Sequence, residues 1–204
     1  MVLTDKKINF LGDSITDAGH LWTSDEFPLG EGYVSFLSSR LAQACPGIEV
    51  INKGQDGFTS ADVRRTLKTN CLNLQPDAVS LLIGINDIAV TKVNGLSLKE
   101  SGFAENLHAV LSALFEQGIS KIFCMGPFLF PCPQEYLTWL PDIALAESLF
   151  EKEVSRFGLP FLPLQKPLNE FARLHGFPHV TTDGVHLTFA GHAFLAKLWS
   201  EAFL

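Results

Sequence analysis

A serine near the amino terminus and an aspartate–histidine pair near the carboxyl terminus could together carry nucleophilic acyl chemistry. A hydroxyl is a weak nucleophile until a base takes its proton, a partner holds that base, and donors await the oxyanion that forms. Ser14 lies in Gly12-Asp13-Ser14, directly after the apolar run Ile8 to Leu11. Its hydroxyl can project from the end of a strand, and its own N–H can face an oxyanion. Asp183-Gly184-Val185-His186 sets a carboxylate three residues ahead of an imidazole, so one turn can present both. Gly54 offers a backbone N–H that no side chain obstructs, and Asn86 a side-chain amide. Each cluster also has a plain reading. Gly-Asp-Ser is a common turn, Gly54 and Gly57 suit loops of positive φ, and Asn86-Asp87 or Asp183 with His186 suit a cap or a surface turn. What favours chemistry is that all four clusters stand beside the ends of expected elements.

Those elements follow from hydrophobic patterning. Short apolar runs at Ile8 to Leu11, Ile48 to Ile51, Ala78 to Ile83, Ile119 to Met125 and Pro160 to Leu164 are too brief for helices and read as five strands. Leu107, Val110, Leu111, Leu114 and Phe115 recur at helical spacing, as do Phe194, Leu195, Leu198 and Trp199. Further helices are expected over Gly32 to Gln43, Ser60 to Leu72, Glu135 to Phe157 and Leu168 to Leu174. Strands alternating with helices, several strands apolar on both faces, predict a parallel sheet covered on both sides. The expected architecture is a three-layer α/β/α, flavodoxin-like fold with a five-stranded parallel sheet, residues 1–204 forming one domain. In such sheets ligands bind beyond the carboxyl ends of the strands. Gly12-Asp13-Ser14, Asn52-Lys53-Gly54 and Gly84-Ile85-Asn86-Asp87 would then share one rim.

The four clusters resemble the four blocks of the SGNH (GDSL) hydrolase superfamily, over nearly the whole chain: Gly12 to Asp17, Asn52 to Gly57, Gly84 to Asp87 and Asp183 to His186. The resemblance implies that Ser14 attacks an ester carbonyl, that His186 accepts and returns the proton, and that Asp183 orients His186. It also implies an oxyanion hole of Ser14 N–H, Gly54 N–H and the Asn86 side chain, with Asp13 and Asp87 as supporting positions of their blocks. Leu29 to Val34, Asn52 to Gly57 and Pro76 to Ser80 are similar to a bacterial branch that includes intracellular acetylxylan esterases. Two positions depart from that branch. Ile88-Ala89-Val90 stands where those relatives carry an aromatic and a basic residue, and Leu187 replaces a frequent proline.

Bulk properties narrow the alternatives. A chain of 204 residues, 47% hydrophobic, can bury one sizeable core. A net charge of -7 argues against a nucleic-acid binder, which needs clustered Lys and Arg. The expected partner is a small-molecule ester, with no nucleic acid and no membrane span. No secretory or membrane run precedes Asp13, so a cytoplasmic location is expected. The four cysteines are then read as reduced thiols, Cys124 as a small hydrophobe in a strand. His192, expected inside the last helix, is a weaker candidate base than His186. His20, His108, His175 and His179 read as exposed or structural. No metal and no cofactor are expected. The aromatic stretch Pro127 to Pro133 with Tyr136 and Trp139 reads either as a substrate wall or as packing, including contact between copies in a homo-oligomer. Trp22 and Phe27 share that ambiguity. Two competing functions remain: a lysophospholipase or thioesterase for longer acyl chains, and a non-catalytic flavodoxin-like binding module.

Overall fold

The computed structural model describes residues 6–21 and 27–204. Five parallel strands lie in the order β2-β1-β3-β4-β5: β1 Lys7–Gly12, β2 Glu49–Gly54, β3 Ala78–Leu82, β4 Lys121–Met125 and β5 Phe161–Leu162. The chain leaves β1 toward one edge to make β2, then returns past it to make β3. Strand order therefore reverses at β1, and that reversal opens a crevice beyond its carboxyl end. Gly12 is in register with Gly54 on one side and with Leu82 on the other, so three strands end at one level.

Period-two alternation assigns the two faces. From β1, Phe10 meets Tyr33 of α2 (Tyr33–Ala44) and Trp199 of the last helix, α9 (Phe189–Phe203). Its neighbour Asn9 points the other way, donating to Asn70 O at the end of α3 (Ser60–Asn70) at 2.8 Å. On that second face Phe103 of α5 (Phe103–Glu116) packs edge-on against Phe150 of α6 (Leu140–Arg156). Trp199 is wholly buried, and its indole N–H donates to Ser80 Oγ in β3 at 3.0 Å. A buried indole needs such a partner, because an unmet N–H would offset part of what its apolar area contributes.

Some elements differ from the sequence reading. The expected helix over Glu135 to Phe157 is two segments, a 3-10 turn at Gln134–Thr138 and then α6. Pro141 explains the break: it lacks an N–H and suits only the first turn of a helix. The fifth strand shrinks to Phe161–Leu162 at a sheet edge, with both residues only partly buried. The second strand starts at Glu49 rather than Ile48 and runs on through Gly54, so Asn52 lies within it. Helix α4 (Ile85–Asn94) was not expected, since Val90 and Val93 are exposed and blur its buried Ile85, Ile88 and Thr91. Two short helices, α1 (Ser14–Asp17) and α8 (Phe177–Val180), the longer α7 (Gln165–His175) and a 3-10 turn at Leu72–Leu74 complete the described elements. Trp22 lies outside the described residues.

Candidate active site

Ser14 is the first residue of α1, held there from three directions. Asp13 caps the helix, its Oδ1 accepting the Ile15 N–H at 3.0 Å, and the left-handed Ala18 ends it after one turn. Thr16 Oγ1 and Tyr33 OH lie 3.0 Å apart, tying α1 to α2. From β2 the Asn52 amide donates to Thr16 O at 2.7 Å and to Leu29 O at 2.9 Å. The Ser14 N–H itself has no acceptor among the described residues.

His186 reaches Ser14 from the other end of the chain, its Nε2 standing 3.0 Å from Ser14 Oγ. Its Nδ1 is 2.6 Å from Asp183 Oδ2, while Asp183 Oδ1 accepts the N–H groups of Val185 at 2.9 Å and His186 at 2.8 Å. An ionised carboxylate can only accept, so Nδ1 carries the ring proton and Nε2 is left as the acceptor for the serine hydroxyl. Burial pushes the Asp183 carboxyl up. The hydrogen bonds from the His186 ring and from the two N–H groups outweigh that, holding it below the usual carboxylate range.

The aromatic stretch braces this turn. Phe128, Leu129 and Phe130 are buried in the core, and Tyr136 and Trp139 pack partly buried against it. The Phe130 N–H donates to Gly184 O at 2.8 Å, and Thr181 Oγ1 accepts the Gly184 N–H at 2.9 Å and donates to His186 O at 2.7 Å. Gly184 has φ +95°, and a Cβ there would stand 1.9 Å from Cys132 O. Only glycine lets the stretch lie so close.

The structure departs from the sequence reading over one oxyanion donor. Gly54 N–H is already donated to Asn52 Oδ1 at 2.9 Å. Gly54 is glycine because α1 crosses it, a Cβ meeting Asp17 N at 2.2 Å, and it does not have positive φ. Gly57 is the glycine with a free amide: it lies on the exposed loop after β2, with no N–H acceptor among the described residues. Asn86, in the first turn of α4, donates from its amide to Phe58 O at 3.0 Å, next to Gly57. Sequence could have suggested Gly57 only through the crowding of Gly54. Nor did it single out Asn52, whose partners come from two other segments.

Asp13 and Asp87 lie beneath these groups and are buried. Asp87 accepts from Ser60 N at 2.9 Å and Ser60 Oγ at 2.5 Å, joining the starts of α3 and α4. Burial, with some help from Asp87, pushes Asp13 up to about 7, and burial, with some help from Asp62, pushes Asp87 up to about 6.

Residues 10–194 match the model of the GDSL-like lipase/acylhydrolase family. The chain belongs to that family. It is accordingly a hydrolase of ester bonds, which sets aside the non-catalytic binding module. An acetylxylan esterase of Geobacillus stearothermophilus is 27% identical over 202 residues, 94% of this chain and 91% of its own length. Among solved structures, one from Parabacteroides merdae described as GDSL-like lipase superposes with a TM-score of 0.89 at 28% identity, covering 98% of this chain and 96% of that one. A variant of an acetyl-xylooligosaccharide esterase from Geobacillus stearothermophilus gives 0.82 at 27% identity, covering 100% and 96%.

In this GDSL-family chain, a cleft of about 530 Å³ opens beside Ser14 and His186, lined also by Glu31, Asp56, Phe189 and His192. Phe189 is 74% exposed at its rim and meets Phe36 edge-on. His192 lies within α9, and its Nδ1 accepts the Tyr33 N–H at 3.2 Å rather than facing Ser14 Oγ as His186 does. Burial, and then the charge of His186, push it down to about 4. His20 turns out to have an acid at the same spacing as His186. Its Nδ1 bonds to Asp17, but that pair is buried and His20 lines a different cleft, with Asn52 and Lys53. His108 bonds to the buried Glu153 at 3.2 Å. Cys71, Cys124 and Cys132 are free thiols, with Cys124 buried in β4. No helix among the described residues is long and apolar enough to cross a membrane.

Proposed function

We propose that this chain hydrolyses esters of small acyl groups, acetyl above all, carried on sugar hydroxyls, with Ser14, His186 and Asp183 as its catalytic triad. The observation that carries this reading is the continuous hydrogen-bonded line from Asp183 through His186 to Ser14 Oγ. Ser14 Oγ attacks the carbonyl carbon as its proton passes to His186 Nε2. The resulting oxyanion is held by the Ser14 N–H, the Asn86 amide and, in place of Gly54, the Gly57 N–H. Collapse breaks the ester C–O bond, and the His186 proton goes to the leaving alcohol. Water, deprotonated by His186, then attacks the acyl-serine, and the acid departs as Ser14 recovers its proton. Asp183 keeps the tautomer that this cycle needs and stabilises the imidazolium.

The acetyl preference is supported by the acetylxylan esterase relative, and the sugar preference by the polar walls of the cleft, Glu31 and Asp56. Phe128 and Phe130, which would have lined a channel for a long acyl chain, are buried in the core. A serine-directed phosphonate should label Ser14 one-to-one and abolish turnover, whereas labelling elsewhere with activity retained would refute the triad. Esters of increasing acyl length should show kcat/KM falling beyond about four carbons. A rise toward long chains would support the lysophospholipase or thioesterase reading instead.

A further inference from the structure

His192 is 8% exposed, and one ring nitrogen is already spoken for. The Tyr33 N–H is the first donor of α2, where no earlier carbonyl can serve it, and His192 Nδ1 accepts it. A ring whose Nδ1 accepts must carry its proton on Nε2 while neutral. The Nδ1–Cε1 edge lies against Gly32, where a Cβ would stand 3.0 Å from Cε1. Nε2 has no hydrogen-bond partner among the described residues, and it is not one of the solvent-sealed orphan atoms either. It therefore opens where the ring lines a cavity, which is the cleft holding Ser14 and His186. The same cleft offers two carboxylates, Glu31 and Asp56, that have no side-chain hydrogen bond or ion pair among the described residues.

We infer that His192 Nε2–H is a fixed donor to the alcohol portion of the ester, selecting alcohols with a free hydroxyl beside the scissile bond. A hydroxyl both accepts and donates, so it can accept from His192 while giving its proton to Glu31 or Asp56. An alkyl or aryl alcohol can do neither, and leaves a nearly buried N–H without a partner once water is displaced. Burial holds the imidazole down to about 4, so the neutral ring and its Nε2–H donor persist at neutral pH. This assignment rests on the esterase reading and adds the feature of the alcohol that the site recognises.

The test compares glycerol 1-acetate with propyl acetate, which share a carbon chain and differ by two hydroxyls, in wild type, His192→Phe, His192→Gln and Glu31→Gln. Rates are taken per site titrated with phosphonate, so misfolded molecules are not counted. Wild type should favour the glycerol ester by about tenfold or more in kcat/KM. His192→Phe should bring that ratio close to one, chiefly by raising KM for the glycerol ester. His192→Gln, which keeps a donor near the Nε2 position, should recover part of it. Glu31→Gln, at an exposed position that does not threaten folding, should lower the ratio several-fold. If His192→Phe depresses both esters equally, the residue is structural and the assignment falls while the esterase reading stands. A ratio unmoved by both His192→Phe and Glu31→Gln likewise overturns the assignment alone. If wild type cleaves neither ester and takes up no phosphonate, the esterase reading falls and this assignment with it.

Discussion

Asp183 uses both of its carboxylate oxygens close to home: one on two backbone N–H groups, the other on His186. Asp183→Asn can keep the turn or the imidazole contact, but not both in the present tautomer. An amide N–H turned toward Nδ1 would drive the ring proton to Nε2, where it opposes the serine proton. We expect kcat to fall about 10²- to 10⁴-fold with KM little changed, measured by steady-state kinetics on a short-chain ester. Asn86→Ala should lower kcat by about 10²- to 10³-fold, the loss of one oxyanion donor, while the phosphonate still labels Ser14. At this scale the spacing of Ser14, Asp183 and His186 anticipated the contacts that join them. The sequence misled where the direction of an amide decides. Gly54 and Gly57 look alike in the chain, but a neighbouring Asn52 oxygen takes the N–H of one, and α1 lies across it. Asp17 with His20 matches Asp183 with His186 in spacing, but that pair is buried beside another cleft while His186 reaches Ser14.

Among the elements, the turn at Asp183–His186 depends on a stretch fifty residues away in sequence. Gly184→Ala must accommodate a positive φ and a Cβ within 1.9 Å of Cys132 O. The strained φ alone costs about 1–3 kcal/mol, and relieving the overlap must move either the turn or the stretch that braces it. Urea unfolding should show a lower midpoint, and phosphonate labelling of the folded protein should slow. Unaltered labelling would mean that the turn tolerates displacement. The nature of this brace was hidden in the sequence because aromatic residues in a loop look the same whether they face a ligand or the core. Helices with a clean apolar stripe, such as α5 and α9, were legible, and α4 was not, because its exposed valines fill the wrong face. A proline settled where α6 begins, and it could have been used to divide the expected helix.

Across the whole molecule, the buried acids give stability a pH dependence of definite sign. Asp13 lies at about 7 and Asp87 at about 6 in the fold, against 3.8 for a free side chain, so between those values the folded state holds more protons than the unfolded. Stability must then fall as pH rises from about 4 to 7 through these two groups. His192, lowered to about 4 from 6.5, works in the opposite direction over pH 4 to 6.5, as one group against two. Asp13→Asn keeps an oxygen for the Ile15 N–H but loses the titration. We expect it to raise Tm at pH 7.5 by a few degrees, where about 1 kcal/mol corresponds to 2–4 °C in a chain of this size, and to leave Tm near pH 4 almost unchanged. Scanning calorimetry at both pH values decides this. Trp199→Ala should cost about 3–5 kcal/mol, read from denaturant unfolding, since it empties the contact between Phe10 and Phe123 and strands Ser80. The five-stranded parallel sheet was legible because strands apolar on both faces leave few other arrangements. The order in which they lie became visible only with the fold.

Ser14 and the His186 imidazole that reaches it stand 172 positions apart in the chain. Helix α9, which closes over β1, comes later still. A chain halted before residue 186 would carry its nucleophile with nothing to activate it, and one halted just after would lack the helix that seals the sheet. Hydrolytic activity in a translating extract would thus report chains extended through α9 and stay silent on those halted short of it, a property that suits this fold to report how far synthesis has run.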